Sequence, residues 1–338
     1  MAARFPPIPT LTLTLTRILT LTLAAMALAA PPADTPSTSL LVVNKEGSLA
    51  IVDPASNAVA ASIRTGDGPH ECVTSSDGKL AFVSNYGGAT APGNTLSVID
   101  LLARRELHRV DLGVLRRPHG LAFAGGKLYF TAETNQIVGT YDPASNQVDW
   151  LLGTGQNTTH MIAVAANLNT IFTANIGSNT ISMIERSGSQ SWSQTAIPVG
   201  KGPEGFDITP EGKELWVAHS RDGGVSVINL FEKRVIHTFG VQTKRSNRLK
   251  FTPDGRLVLI TDLDAGTLLV LNRTNFKEMK RIPLGHEPAG ILIAPDSSRA
   301  YVAVTGDNNV VVVDLHTFDL QKRIQAGVGP DGMAWAVR

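Results

Sequence analysis

The 338 residues carry 30 Lys+Arg against 29 Asp+Glu, a formal charge of +1, without the basic surplus of a nucleic-acid or anionic-membrane binder. A hydrophobic content of 43% supports a sizeable core and excludes disorder by composition. The single cysteine, Cys72, excludes an internal disulfide framework and any CxxC metal or redox motif.

Residues 1–30 (MAARFPPIPTLTLTLTRILTLTLAAMALAA) hold two arginines and no acid, then an apolar run from Ile18 to Leu28. Ala27-Leu28-Ala29 fits a small-residue cleavage site, so this stretch reads as a signal peptide. The apolar run is shorter than the roughly 20 residues a membrane span needs. The expectation is therefore a periplasmic or secreted protein with no membrane span after cleavage. A Pro/Thr/Ser linker follows over 31–39. Loss of Arg4 and Arg17 would take the charge from +1 to −1, still near neutral.

The rest is one unit repeated. A short element recurs as Gly68-Pro69-His70-Glu71, Arg117-Pro118-His119-Gly120, Thr158-Thr159-His160-Met161, Gly202-Pro203-Glu204-Gly205, Arg245-Ser246-Asn247-Arg248, Glu287-Pro288-Ala289-Gly290 and Gly329-Pro330-Asp331-Gly332. Each unit of roughly 42 residues holds four short Val/Ile/Thr-rich runs, with Asp-Gly turns such as Asp77-Gly78 and Asp254-Gly255 after the first. Four antiparallel strands per unit make one propeller blade. The chain opens in a second strand at Leu41–Asn44 and closes in a first strand at Gly332–Val337. This predicts an all-β, seven-bladed β-propeller over 40–338, in which the C-terminal strand completes the N-terminal blade.

The sequence G-x-x-P-x-G, D-G-K, Y-V-A/T-N, S-V-I-D resembles the YVTN-type β-propeller repeats of secreted bacterial proteins. Pro118–Asp142 resembles repeats of the virginiamycin B lyase group. The whole is similar in design to propeller lactonases, and that resemblance implies lactone hydrolase or lyase chemistry. Fold resemblance fixes architecture better than activity.

In a propeller the first strands line the central channel, so the residue after each marked position should ring its mouth. In chain order the ring is His70, His119, His160, Glu204, Asn247, Ala289 and Asp331. His70, His119, His160, Glu204 and Asp331 form a contiguous arc of the seven-membered ring. That arc is the candidate set for one divalent ion (Zn²⁺, Mn²⁺ or Ca²⁺) or for metal-free acid–base work. The competing reading is a tight turn whose histidines only bond backbone. A second ring, at the ends of the second strands, comprises Asn44, Asn85, Glu133, Asn175, His219, Asp262 and Val304. It reads first as turn bracing.

Arg248 stands in a slot where Gly or a small apolar residue is more usual, and is a candidate bidentate clamp for a substrate carboxylate. The catalytic candidates are thus His119, His160, Glu204 and Arg248. Gly200-x-Gly202-x-x-Gly205 matches a dinucleotide fingerprint but leads into a strand, so it is set aside. The leading expectation is a monomeric lactonase- or lyase-like enzyme for a small oxygenated or anionic molecule. The alternative is a non-catalytic propeller that engages a protein or cell-envelope partner.

Overall fold

The computed structural model describes residues 1–3, 37–188 and 191–338. The expected signal peptide and most of the linker lie outside the described residues. The propeller lies within the unit Thr35–Arg338. It consists of seven four-stranded antiparallel sheets. Blade 1 is composite, with Pro330–Val337 as its inner strand followed outward by Thr38–Asn44, Ser48–Asp53 and Ala58–Arg64. Thr38 pairs with Val337 and Leu40 with Trp335, so the C-terminal strand closes the ring. The inner strands of blades 2 to 7 are Pro69–Thr74, Pro118–Ala124, Thr159–Val164, Pro203–Ile208, Ser246–Phe251 and Pro288–Ile293. Neighbouring inner strands pack side by side around the whole circle.

Burial follows position in the blade. The middle strands are sandwiched between adjacent blades, so Leu40–Asn44 and Leu257–Asp262 are buried without a break. Outer strands face water on one side, and Gln147–Gly153 alternates accordingly. Among the described residues the apolar core falls into seven clusters, one at each interface between blades. The interface between blades 6 and 7, for example, buries Leu259, Leu268 and Val270 against Ile291, Val302 and Val311. The core is thus a ring of seven wedges around the channel, not one central mass.

Two local features fix the channel mouth. First, each inner strand carries a bulge directly after its marked position: Pro69 pairs with Asn85, yet Cys72 pairs with Val83, three residues against two. The same shift recurs in all seven blades. A bulge re-aims the side chains beside it. Second, the position after each ring residue is Gly in blades 1, 3, 5 and 7 (Gly332, Gly120, Gly205, Gly290). A Cβ at Gly120 would overlap the backbone of His160–Ile162 in the next inner strand, and one at Gly205 the backbone of Asn247–Leu249. Inner strands approach too closely there for a side chain. In blades 2, 4 and 6 the same slot holds Glu71, Met161 and Arg248.

Candidate active site at the channel mouth

All seven ring residues, His70 through Asp331, line one cavity of about 150 Å³. Lys45, Tyr86, Arg245 and Arg248 also face it. The bulge after each marked position therefore brings the ring together, as the blade register requires.

The three histidines form a column, ring to ring, with His70 edge-on to His119 and His119 tilted against His160. The His119 ring lies 3.7 Å from that of His160 and 5.1 Å from that of His70. Tyr86 covers this column, 4.5 Å from His70 and edge-on to His119 at 5.5 Å, while the Arg117 guanidinium lies 4.7 Å over the Tyr86 ring. Burial pushes the His70 imidazole down to about 4, although Asp331 pulls the other way. Burial, reinforced by its histidine neighbours, holds His119 well below the usual histidine range. Both rings are neutral at physiological pH. His119 is 2% exposed, and its Nδ1 has no hydrogen-bond partner among the described residues.

His160 is oriented by a carboxylate. Its Nδ1 lies 3.0 Å from Glu133 Oε2, and the Tyr86 hydroxyl donates to Glu133 Oε1 at 3.1 Å. Glu133 stands in a single 3-10 turn, Glu133–Asn135, that follows the second strand of blade 3. Burial opposes its ionisation, but the His160 hydrogen bond and charge, the Tyr86 hydroxyl and Arg117 together hold its carboxyl below the usual range. His160 Nε2 lies 4.0 Å from Glu204 Oε1; in the neutral ring whose Nδ1–H donates to Glu133, Nε2 is an acceptor. Glu204 in turn accepts from Asn247 Nδ2 at 2.6 Å.

Further round the ring, Asp331 is buried and meets Lys45 Nζ at 3.3 Å and His70 Nδ1 at 3.5 Å. Burial disfavours its charge, yet Lys45, His70 and Arg248 keep its carboxyl below the usual value.

Two expectations need restating against this geometry. Arg248 is not a free clamp: it is 5% exposed, its Nη2 is paired with Glu71 from blade 2, and its Nη1 donates to Asn247 Oδ1 at 3.1 Å. Burial lowers the Arg248 pKa and the Glu71 carboxylate raises it, with a net rise. Burial holds the Glu71 carboxyl above its usual range although Arg248 draws it down; against that, the direct contact with a guanidinium that only donates favours the charged pair. The metal set His70, His119, His160, Glu204 and Asp331 lines one cavity but does not form a coordination shell. Among the described residues no three His, Cys, Asp or Glu side chains are placed to hold one metal ion. The histidines lie ring against ring, and the carboxylates are turned to Lys45 and Asn247.

The second ring divides. Asn44, Asn85 and Asn175 bond hydroxyls within their own blades, and Asn44 and Asn85 also bond backbone at the mouth loops. His219 meets Asp222 at 2.9 Å, and Asp262 accepts the backbone N–H groups of Lys244 and Arg245. Val304 is buried apolar surface. Asn44, Asn85, Asn175, His219 and Asp262 thus brace turns. Glu133 alone of this ring reaches the histidines.

No family model matches the chain. It is 23% identical over 189 residues to Antigen Lp49 of Leptospira interrogans serogroup Icterohaemorrhagiae serovar copenhageni, covering 48% of this chain and 40% of that protein. The chain thus spans less than half the length of that curated relative. Among solved structures, a periplasmic gluconolactonase of Pseudomonas aeruginosa, PpgL, superposes with a TM-score of 0.73 at 15% identity, covering 89% of this chain and 99% of that one. Hydrazine synthase of Kuenenia stuttgartiensis superposes with a TM-score of 0.67 at 20% identity, covering 79% and 89%. At these identities the likeness is one of fold: a seven-bladed propeller of the architecture that lactonases use.

Proposed function

We propose that the channel mouth hydrolyses a lactone of a small hydroxylated acid by general-base catalysis. The observation that carries this reading is the Glu133–His160–Glu204 arrangement. Glu133 fixes the tautomer of His160, so Nε2 presents a lone pair towards Glu204. Two acceptors 4.0 Å apart suit one water that donates a hydrogen bond to each. That water is the nucleophile. His160 Nε2 takes its proton as the oxygen attacks the carbonyl carbon, and Glu133 stabilises the imidazolium that forms. The tetrahedral intermediate collapses with cleavage of the ring C–O bond, and the imidazolium returns the proton to the departing alkoxide. Lys45 and Arg245 supply positive charge at the rim for the carbonyl oxygen or an anionic substituent.

The gluconolactonase neighbour supports the substrate class at the level of fold. That neighbour's periplasmic location and the signal-like residues 1–30 of this chain support action in the periplasm or outside the cell. The donor arrangement does not fit a metal, and no step is routed through one. The test is proton release from sugar-acid lactones, glucono-1,5-lactone first, by wild-type protein and by His160→Gln and Glu204→Gln. Turnover by wild type that both variants lose supports the reading. Equal rates in all three, or none in any, transfer the weight to the binding propeller.

A further inference from the structure

The slot after each ring residue holds Gly in four blades because the inner strands crowd together there. Two of the three exceptions are an acid and a base, Glu71 on blade 2 and Arg248 on blade 6. Their side chains meet across the channel, 177 residues apart in sequence, in a buried ion pair. A hydrogen-bonded chain continues from this pair. Arg248 Nη1 donates to Asn247 Oδ1 at 3.1 Å, and Asn247 Nδ2 donates to Glu204 Oε1 at 2.6 Å. The direction of the chain is forced. A guanidinium only donates, so the amide oxygen must face Arg248 and the amide nitrogen must face Glu204.

We propose that Glu71 is the positioning residue for Glu204: by holding Arg248 across the channel it fixes the Asn247 amide, which keeps the Glu204 carboxylate aimed at His160 Nε2. This inference rests on the reading of His160 and Glu204 as the pair that holds the attacking water. Without Glu71 the Arg248 guanidinium is a buried cation with no ion-pair partner, and Glu204 and Asp331 are the carboxylates that already attract it. Arg248 would turn to Glu204 and draw it from His160. Around Glu204 and His160 the charged and titratable groups are Glu133, Tyr86, His70, His119, Lys45, Glu71, Arg245, Arg248 and Asp331. A variant at Glu71 alters only one of them directly.

The experiment compares wild type, Glu71→Gln, Glu71→Asp and the double variant Glu71→Met/Arg248→Met. The double variant removes both charges, so it leaves no unpaired buried ion and is expected to fold. For Glu71→Gln we expect kcat on glucono-1,5-lactone to fall by about tenfold or more, with KM within about twofold of wild type. The acid limb of its kcat profile should move to lower pH, because His160 loses the nearby Glu204 charge. Glu71→Asp, which keeps the charge, should recover the limb. The double variant should lose kcat as Glu71→Gln does, since Asn247 is no longer held.

A second readout needs no turnover: the His160 Cε1 resonance, followed by NMR across pH, should titrate lower in Glu71→Gln and in the double variant than in wild type. If wild type hydrolyses no lactone, the resonance still decides this proposal and only the lactonase reading fails. A folded double variant with wild-type His160 titration overturns it. So do folded variants with wild-type kcat and acid limb.

Discussion

Blades 2 to 4 and blades 5 to 7 present the same bulged position to the channel, with different chemistry. The first half offers His70, His119 and His160, in ring contact under Tyr86, with His119 and His160 buried. The second half offers Glu204 and Asn247, linked by polar bonds to Arg248 and across the channel to Glu71, and beside them the apolar Ala289. One half excludes water from His70 and His119, which keeps those two imidazoles neutral. The other holds a carboxylate by fixing every partner around it. The same backbone turn thus yields a proton acceptor or an anchored charge, depending on what packs over it.

The sharpest way to break that comparison is to remove the base. His160→Gln should lower kcat by about 10²–10⁴-fold, the range of a general base, while the melting temperature moves by only a few degrees. Kinetics and a thermal melt on the same preparation check it. Glu204→Gln should cost less, about 10–100-fold, because an amide still accepts a hydrogen bond from the water. A Glu204 loss exceeding that of His160 would place the base in the other half.

Tyr86→Phe tests the roof over the histidines. It removes one hydrogen bond to Glu133 and leaves the ring contacts, so kcat should fall about three- to tenfold, the worth of a single bond of roughly 0.5–1.5 kcal/mol.

Acid titration separates the halves by stability. His70 is held near 4 in the folded state against 6.5 unfolded. Above 6.5 neither state binds the proton. As pH falls below 6.5 the unfolded state is protonated first, so folding stability drops until about pH 4, by up to about 3 kcal/mol for this group. His119 acts in the same direction. The melting temperature should fall across that window, and the fall should be shallower in His70→Gln. A flat curve in wild type would contradict the burial argument. The smallest expected effect is that of chelation. Dialysis against EDTA should change neither kcat nor the melting temperature, and elemental analysis should find no stoichiometric metal.

The architecture was readable because a propeller writes its period into the chain. Each marked position, from Pro69 to Pro330, opens an inner strand, and each following residue reaches the mouth. The ring of candidates followed from counting. The partners did not. Glu133 was visible only as the end of a second strand, and nothing local says that the 3-10 turn after it swings the carboxylate onto the next blade's His160. Tyr86 belongs to a hairpin in blade 2 longer than its counterparts, so the repeat offers no template for its placement. Arg248 stood out by replacing a glycine, and the signal for its partner lay in the same column. Glu71 also replaces that glycine, and opposite charges in one register slot on facing blades can meet across a channel. Sequence shows what occupies a slot. Which occupants face each other depends on the diameter of the ring.

The pairing of Thr38 with Val337 joins segments roughly 300 residues apart, a closure whose entropic cost grows only slowly with that separation. A linear array of repeats frays from its two ends, since each end unit has one neighbour. Here every blade has two. Unfolding must therefore break two interfaces at once before any blade is released, which makes loss of structure a single cooperative event. Folding carries the mirror-image burden: most blades can form before the ring shuts, and the last contact is the slowest to find. The speed at which Pro330–Val337 docks, not the stability of any one blade, should set the time this protein takes to acquire its active mouth.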